Sequence, residues 1–467
     1  MSSATPTAGK TTFWSWDRVA QALAPHADGN LPRGAQTFGR VWTDTRTIEQ
    51  GDLFVALAGD RFDAHDFLAD AVAKGAAGVV VSKLDNARNL GVPVYHVHDT
   101  LVALGALGNF YRKMLNVPIV GVVGTNGKTS TKELIRAALG SRLRVHATSG
   151  NLNNLIGVPL TLLSMPATTE VGVIEMGTNQ PGEVARLRAI VDPNVVVVTS
   201  VAEEHLEGLG DLAGVLREEM AAAEGTPVAI VPASQPEVVA AATVRAGRVV
   251  SAGVDARADV GATSWSVEPD GRGRIVVDDV TIQLPLRGVH NIRNAMLAIA
   301  VAQELGVTVA DAAHGFASMA PPPMRSNIEQ HGTATLINDA YNSNPGSARA
   351  AIELLAHAGM GRQRVAVLGT MLELGPSTPK LHDDVAREAL NAGVEVVAAI
   401  GEFASALGRI APGDSRVITA GDVDELWSKL SPRLAPDAVI LLKGSRGMRL
   451  ERLVAPISDW AQRRTNS

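Results

Sequence analysis

The residues best suited to chemistry form a short glycine-rich segment, Gly124-Thr-Asn-Gly-Lys-Thr-Ser130. An apolar stretch, residues 118–123, precedes it, and a helical pattern begins at Thr131. Glycines let backbone N–H groups face phosphate oxygens, and a helix N-terminus adds partial positive charge. Lys128 would then reach the β- and γ-phosphates, while the Thr129 hydroxyl would ligate Mg²⁺. The segment predicts an ATP site, and an ordinary strand-to-helix turn is the alternative.

The spacing is shorter than the general G-x-x-x-x-G-K-[ST] pattern, because Val122 occupies the position of its first glycine. What remains is G-x-x-G-K-T with a strand before it and a helix after it. The predicted ATP-binding residues are Gly124, Thr125, Asn126, Gly127, Lys128, Thr129 and Ser130.

Short apolar runs alternate with helical patterns along the chain, and the strands and helices that they predict must position this loop. Strands are predicted at residues 78–81, 118–123, 171–175, 194–200, 228–231, 364–369, 394–400 and 438–443. Many of these runs are continuously apolar, which is typical of strands covered by helices on both faces. The pattern predicts an α/β fold with largely parallel sheets in the middle and C-terminal thirds.

Two breaks in the pattern predict domain boundaries. A helical stretch ends near Leu115 before Asn116-Val-Pro118, and three prolines at 321–323 cannot continue the helix before them. The predicted domains are therefore residues 1–115, 116–323 and 324–467.

Composition narrows the function class. The 467 residues carry 42 Lys and Arg against 48 Asp and Glu, a net charge of −6, and no cysteine. This balance argues against a nucleic-acid partner, and disulfides and thiolate metal sites are excluded. Residues 1–10 lack a signal-peptide layout, and no apolar run approaches the ~20 residues that span a bilayer. We expect a cytoplasmic, monomeric protein without a membrane partner.

Further motifs occur in a fixed order along the chain. The first third has Asp44-Thr-Arg46, Gly51-Asp-Leu-Phe-Val-Ala-Leu57 and Phe62-Asp-Ala-His-Asp-Phe67. The middle has Gly150-Asn-Leu-Asn-Asn154, Ile156-Gly-Val-Pro-Leu160, Glu175-Met-Gly177, His205 and His290-Asn-Ile-Arg-Asn294. The last third has Asn338-Asp-Ala-Tyr-Asn-Ser-Asn-Pro345, Met371-Leu-Glu-Leu-Gly375 and Lys443-Gly-Ser-Arg-Gly-Met448. Together with the phosphate loop, this series resembles the Mur ligase family of ATP-dependent amide-bond-forming enzymes over nearly the whole chain.

The resemblance implies an architecture and a reaction. A UDP-sugar-binding N-terminal domain, a central P-loop ATPase-like parallel sheet and a Rossmann-like C-terminal domain are expected. The last three motifs resemble the branch that joins D-alanyl-D-alanine to UDP-N-acetylmuramoyl-tripeptide, making a peptidoglycan precursor. ATP would activate the tripeptide carboxylate as an acyl phosphate, which the incoming amine attacks. Domain closure would assemble Lys128, Arg325 and the acceptor pocket.

The resemblance also assigns the metal and nucleotide contacts. Glu175 ends a predicted strand at the edge where open α/β sheets bind ligands, and it would bind Mg²⁺ beside Thr129. Spacing alone favours an exposed strand-end residue for Glu175 and a surface histidine for His205, and the resemblance reverses both interpretations. The resemblance makes His205 a ligand of a second Mg²⁺. It also places Asn294 on adenine, Arg325 on the ATP phosphates and Asp339 near the ribose or phosphates.

One departure concerns the negative charge near the metal. Relatives carry a lysine shortly after this histidine that becomes carbamylated, whereas no lysine lies between His205 and Met220. We hypothesise that Glu218 or, by our alignment, Glu219 supplies the charge directly. A solvated acidic helix face is the alternative.

Substrate-binding residues are expected in all three domains. They are Thr45, Arg46, Asn151, Asn154, Tyr341 and Asn342. Asn344 is explained equally well as the N-cap of a helix that has proline at its first position. Thr370 stands where relatives often carry aspartate. The cations at Lys443, Arg446, Arg449 and Arg452 favour a local anion or structural site over a nucleic-acid patch.

Three other functions remain open from sequence alone. They are a sister ligase that adds a different amino acid, a non-catalytic UDP-sugar-binding homologue and a nucleotide-hydrolysing switch. The sister ligase that adds diaminopimelate has an Asp-Asn-Pro-Arg signature, whereas this chain reads Ser343-Asn-Pro-Gly346.

Overall fold

The computed structural model describes residues 13–59, 62–255 and 257–465. Residues 1–10, predicted to lack a signal-peptide layout, lie outside the described residues. The chain divides into two compact units. The first contains residues up to 119 together with 146–176 and 186–192, and the second contains 120–145, 177–185 and 193–467.

The first unit is built on a four-stranded parallel sheet. Its strands, in spatial order, are Val41–Trp42, Leu53–Val55, Gly78–Val81 and Val94–His96. Short antiparallel pairs join Trp14–Ser15 to Thr37–Phe38 and Ala58–Gly59 to Phe62–Asp63. The helices are Trp16–Leu23, Leu68–Ala73, Thr100–Leu115 and Gly157–Leu163. Strands Val145–Ala147 and Val171–Glu175 and helix Glu183–Val191 follow later in the chain.

A parallel sheet carries the phosphate loop in the second unit. Its strands, in spatial order, are Ile119–Val123, Val195–Val198, Val228–Pro232, Arg248–Gly253 and Val260–Gly261. The accompanying helices are Lys128–Gly140, Leu206–Leu209, Leu212–Met220, Pro236–Thr243, Val289–Glu304 and Val309–Ala317.

A three-stranded antiparallel sheet follows, which the predicted strands did not include. It consists of Ser264–Val267, Arg272–Val277 and Val280–Arg287. Asp278 and Asp279 both have positive φ, as a two-residue hairpin turn of type I′ requires. Residues 280–287 alternate between apolar and polar, which is a strand signal of a different kind from the continuous apolar runs used to predict the other strands.

The last third forms a six-stranded sheet. In spatial order its strands are Asn327–His331, Ala334–Asp339, Val439–Lys443, Arg364–Leu368, Val396–Ile400 and Val417–Ala420. The first pair is antiparallel and the others are parallel. The helices are Pro345–Ala358, Thr378–Asn391, Glu402–Ile410, Val423–Leu430 and Val454–Thr465.

Both faces of this last sheet are covered, which explains its continuously apolar strands. Val365 and Val367 pack in one hydrophobic cluster, while Ala366 and Leu368 of the same strand pack in the other. The predicted α/β class and the parallel sheets are thus confirmed. The helix after the phosphate loop begins at Lys128, three residues earlier than predicted. No helix among the described residues is long and apolar enough to cross a membrane.

Candidate active site

The phosphate loop has a backbone that only glycine accommodates at two positions. Gly124 has φ +121° and Gly127 has φ +87°, both in the left-handed region. A Cβ at Gly124 would lie 2.8 Å from the Ser200 carbonyl oxygen, and one at Gly127 would lie 2.7 Å from Asn294 Oδ1. The loop is therefore shaped by conformation and by close packing together, as a phosphate cradle requires.

Residues after the neighbouring strand Val195–Val198 hold the loop in place. The Thr199 hydroxyl donates to the Asn126 carbonyl oxygen at 2.6 Å, and the Thr125 N–H donates to the Ser200 carbonyl at 2.8 Å. The Asn126 N–H donates to Ser200 Oγ at 3.1 Å. These bonds fix the loop before any ligand binds, which reduces the conformational entropy lost on binding.

Lys128 is the first residue of helix Lys128–Gly140, and its ammonium group turns back over the loop. Nζ donates to the carbonyl oxygens of Gly124 and Thr125. Its closest carboxylate is Glu204 Oε2, at 4.0 Å. Thr129 and Ser130 follow in the same first turn. The lysine charge thus lies where the loop would hold phosphate oxygens.

Glu219 approaches the loop from helix Leu212–Met220. Its Oε2 accepts the Gly124 N–H at 2.8 Å, and the side chain is 4% exposed. Burial raises the pKa of Glu219 to about 7, although the Lys128 ammonium and the Gly124 N–H both favour the ionised form. The carboxyl group next to the predicted phosphate site is therefore Glu219.

Glu218 has a structural position instead. Its two carboxylate oxygens accept the N–H groups of Gly182 at 2.7 Å and Val184 at 2.8 Å. These groups lie at the start of helix Glu183–Val191, where backbone donors have no partner within the helix. Of the two alternatives left open by the sequence, only Glu219 faces the loop.

His205 lies at the start of helix Leu206–Leu209 with φ +53°, a left-handed conformation that is uncommon for histidine. Its Nδ1 is hydrogen-bonded to a carboxylate oxygen of Glu373, and its Nε2 lies 3.9 Å from Glu204 Oε2. Glu204 and Glu373 were not singled out from the sequence. Glu204 adjoins His205 directly, and Glu373 lies within a motif whose acidic member could have been flagged.

The turn at residues 342–346 also reaches the phosphate loop. Asn344 Nδ2 donates to Asn126 Oδ1 at 2.8 Å, and Asn342 Nδ2 donates to Glu204 Oε1 at 3.0 Å. Asn344 also caps helix Pro345–Ala358, since its Oδ1 accepts the Ser347 N–H at 2.9 Å. The capping interpretation of Asn344 is confirmed, and its amide nitrogen contacts the loop in addition.

Arg325 and Asp339 lie on this side of the site in separate arrangements. The Arg325 guanidinium stacks on the Tyr341 ring, 4.3 Å from its centroid, and forms no hydrogen bond with residues 124–130 in the described part of the chain. Asp339 accepts the Ser326 N–H at 2.8 Å and pairs with Lys443 Nζ at 3.1 Å. Lys443 is therefore a buried structural cation, in line with the prediction of a local anion or structural site.

Asn294 and Thr370 complete this side of the site. Asn294 is buried in helix Val289–Glu304 behind Gly127, and its Nδ2 donates to Asn291 Oδ1 at 3.1 Å. The Thr370 hydroxyl accepts the Glu402 N–H at 2.9 Å and so satisfies a backbone donor in the first turn of helix Glu402–Ile410. Thr370 thus has a local structural contact.

The remaining predicted residues lie in the first unit. Glu175 is 2% exposed at the end of its strand, and its Oε1 accepts from Asn153 Nδ2 at 2.9 Å. Asn154 Oδ1 caps helix Gly157–Leu163 by accepting the Gly157 N–H at 2.8 Å, and the Asn151 carbonyl accepts the Asn153 N–H. Glu175 is thus buried and hydrogen-bonded, contrary to the exposed strand-end alternative.

Arg46 and Thr45 lie on the surface of the same unit. Arg46 forms a two-bond ion pair with Asp44, at 2.9 Å and 2.7 Å, and this pair lowers the pKa of Asp44 to about 2. The Thr45 carbonyl accepts from Lys74 Nζ at 3.2 Å. Arg46 therefore already has a carboxylate partner, and any substrate anion would share or replace it.

The donor set suits a magnesium ion only in combination with phosphate. No group of three or more His, Asp or Glu side chains is arranged as a complete metal site in the parts of the chain that the structure describes. Mg²⁺ usually takes one or two protein carboxylates and completes its shell with substrate phosphates and water. The carboxylates of Glu204 and Glu219 near Lys128 fit that chemistry.

Comparison with known proteins matches three family descriptions along the chain. "Mur ligase family, catalytic domain" matches residues 38–154, "Mur ligase middle domain" 122–302 and "Mur ligase, glutamate ligase domain" 324–446. A Bacillus subtilis protein named UDP-N-acetylmuramoyl-tripeptide--D-alanyl-D-alanine ligase is 33% identical over 95% of this chain and 98% of its own length.

Two solved structures are similar over nearly the whole chain. MurF from Acinetobacter baumannii superposes with a TM-score of 0.86 at 30% identity, covering 96% of this chain and 99% of its own. MurF ligase from Thermotoga maritima, in complex with ADP, has a TM-score of 0.81 at 25% identity and covers 91% and 98%. Sequence and fold thus agree on the same relatives.

Proposed function

The chain belongs to the Mur ligase family, and on that premise we propose that it is an ATP-dependent ligase joining D-alanyl-D-alanine to UDP-N-acetylmuramoyl-tripeptide. The product is the UDP-N-acetylmuramoyl-pentapeptide precursor of peptidoglycan. A relative named as this ligase matches 95% of the chain over 98% of its own length, and one solved relative was determined in complex with ADP.

One observation in the structure carries the proposal. Residues from the last third, at 342–346 and at Glu373, contact the phosphate loop and the loop around His205. A ligase must bring its acceptor to the activated carboxyl group, whereas a nucleotide-binding protein has no such need. The convergence of these segments on one phosphate site supports ligation.

The chemistry has two steps. A tripeptide carboxylate oxygen attacks the γ-phosphorus of ATP, and ADP leaves with the electron pair of the broken P–O bond. The dipeptide amine then attacks the acyl carbon, inorganic phosphate leaves, and the amine loses its proton. Because the first step brings two anions together, Lys128 and the loop N–H groups would serve to hold and neutralise the phosphate oxygens.

The metal ligands are part of the proposal. Thr129 would hold one Mg²⁺ and His205 a second, with the Glu219 carboxylate taking the place of the carbamylated lysine of relatives. Bound Mg²⁺ would neutralise phosphate charge and align oxygens for transfer. The assignment of Glu175 as a further magnesium ligand stays a prediction, as do Asn294 on adenine and Arg325 and Asp339 on the nucleotide.

The division of labour among segments is also proposed. Residues 1–115 would bind the UDP-sugar, 116–323 the ATP and 324–467 the dipeptide. Thr45, Arg46, Asn151, Asn154, Tyr341 and Asn342 stay candidates for substrate contact. A cytoplasmic, monomeric state stays a prediction as well.

The test measures phosphate release from ATP and Mg²⁺ with each of the two substrates omitted in turn, followed by mass analysis of the product. Release that requires both substrates and yields the pentapeptide supports the proposal. Ligation of a different amino acid indicates a sister ligase, and ATP hydrolysis without acceptor indicates a switch. Folded protein that binds UDP-sugar without turnover indicates a non-catalytic homologue. Any of these three outcomes would overturn the proposed function.

A further inference from the structure

The loop at residues 371–375 reaches His205 from the last third of the chain. A Glu373 carboxylate oxygen is hydrogen-bonded to His205 Nδ1, and the Glu207 N–H donates to the Glu373 carbonyl at 3.2 Å. A Cβ at Gly375 would lie 3.3 Å from the Glu207 Cα, so the backbones pack closely. The loop therefore docks through side chain and main chain together.

The loop is held so that it presents Glu373. The Met371 N–H donates to His382 Nε2 at 2.9 Å, and the Leu372 N–H donates to Ser445 Oγ at 3.0 Å. His382 is fully buried, and its Nδ1 bonds the Thr378 carbonyl at 2.7 Å. This network assigns the proton of His382 to Nδ1 and leaves Nε2 as an acceptor. The two residues before Glu373 are thus anchored to helix Thr378–Asn391 and to the segment that follows strand Val439–Lys443.

Both partners of the contact adopt unusual backbone conformations. Glu373 has φ +63° and His205 has φ +53°. Non-glycine residues in the left-handed region cluster at sites where the surrounding structure dictates the geometry. Two such residues bonded to each other, 168 positions apart, favour a specific contact over an incidental surface pair.

The contact has a consequence for the imidazole of His205. A carboxylate can only accept, so Nδ1 carries the proton, and in the neutral imidazole this leaves the lone pair on Nε2. Nε2 is the nitrogen that lies toward Glu204, which in turn lies 4.0 Å from Lys128. Histidines that bind metals commonly donate their other ring N–H to a carboxylate, which fixes tautomer and ring orientation.

We infer that Glu373 is a positioning residue that fixes the tautomer and direction of His205, so that Nε2 is offered to the metal when the 371–375 loop docks. The inference rests on the proposed function, since the metal role of His205 comes from there. Glu373 belongs to the last third of the chain, which is proposed to bind the dipeptide acceptor. Docking of its loop and the orientation of His205 as a metal ligand are thereby coupled.

The test compares E373A and E373Q with the wild type, with E207Q as the matched control. Glu207 lies in helix Leu206–Leu209, which begins directly after His205, and its side chain is exposed. Two readouts are used: ¹⁵N spectra of the His205 ring, assigned with H205Q, and Mn²⁺ binding by electron paramagnetic resonance with a non-hydrolysable ATP analogue. Mn²⁺ binds the same kinds of oxygen and imidazole ligands that are proposed for Mg²⁺, so it serves as a paramagnetic probe of the Mg²⁺ site.

We expect E373A to lose the single Nδ1–H tautomer and to bind Mn²⁺ about 10-fold more weakly. E373Q, whose amide oxygen still accepts, should stay within about 3-fold of wild type, and E207Q should not differ from it. Should E373A fail to fold, S445A releases the anchor at Leu372 and should shift both readouts in the same direction.

An unchanged tautomer and Mn²⁺ affinity in folded E373A, or in S445A if that variant is needed, would overturn the inference. If the wild type still forms pentapeptide in that case, the proposed function stands and only the role of Glu373 fails. If the wild type forms no pentapeptide although both readouts respond to E373A, the proposed function fails and the positioning role stands.

Discussion

Two lysines at the carboxyl edges of two parallel sheets have opposite surroundings. Lys128 follows strand Ile119–Val123, and its ammonium rests on two loop carbonyls with its closest carboxylate 4.0 Å away. Lys443 ends strand Val439–Lys443, is 2% exposed and pairs with Asp339 at 3.1 Å while donating to the Asn342 carbonyl. The first cation can exchange carbonyls for phosphate oxygens, whereas the second is committed to holding a turn.

The comparison shows that position at a sheet edge does not by itself make a residue functional. A charge is available for a ligand when its protein partners are weak and replaceable. It is structural when a buried partner would be left unpaired without it.

The largest effect is expected for Lys128→Met. Loss of the cation that we propose to face the γ-phosphate should lower kcat about 10³-fold, equivalent to about 4 kcal/mol of transition-state stabilisation. Its replaceable partners mean that the free energy of unfolding should change by less than about 1 kcal/mol. Phosphate-release kinetics and urea unfolding measure the two quantities. Wild-type turnover in this variant would contradict the assignment of Lys128.

Lys443→Met should show the reverse pattern. It leaves the Asp339 carboxylate, 15% exposed, without its cation, so stability should fall by about 3 kcal/mol. The double variant with Asp339→Asn should recover part of that loss, because no unpaired charge then remains. Urea unfolding of the single and double variants is the measurement. Equal loss in both would show that the pair is not the cause.

A pH series tests the surroundings of Lys128 through the titration of Glu219. Its folded-state pKa is raised from 4.5 to about 7, so the protonated form favours folding. This stabilisation is complete below pH 4.5 and is lost as the pH rises to 7, by at most about 3 kcal/mol. Thermal unfolding without metal should therefore show this slope, and Glu219→Gln should flatten it.

Two variants serve as controls for the pH series. Glu218→Gln removes a helix-cap acceptor and should lower stability by about 1 kcal/mol at all these pH values. Lys128→Met should extend the slope above pH 7, because the ammonium lowers the pKa of Glu219. A slope that survives Glu219→Gln would assign the titration to another group.

The smallest effect concerns the turn between the two lysines. Asn344→Ala should cost about 1 kcal/mol, because it removes the N-cap of helix Pro345–Ala358. Asn344→Asp keeps the capping oxygen but not the amide that donates to Asn126, so it should retain most of the stability. The KM for ATP in Asn344→Asp then reports the lost contact with the loop together with the added negative charge beside Asn126. Equal instability of both variants would argue against capping as the main contribution.

Much of the fold could be predicted from local patterns. The strands at 78–81 and 171–175 were predicted to the residue, and the helix before Asn116 ends at Leu115 as expected. Continuous apolar runs and the Gly-Lys-Thr segment consist of residues adjacent in sequence, so they can be recognised without a structure. The antiparallel strands at 264–287 were not predicted, because their alternating pattern differs from those continuous runs.

Local patterns were enough to predict the phosphate loop, the α/β class and the cap at Asn344, since each depends on residues a few positions apart. The packing of distant segments was needed to see that Glu219 faces the loop while Glu218 caps a helix, and that Lys443 is structural. It also joined His205 to Glu373 across 168 positions. The physical reason is that burial, charge pairing and pKa depend on which distant segments pack together, and no local pattern records that.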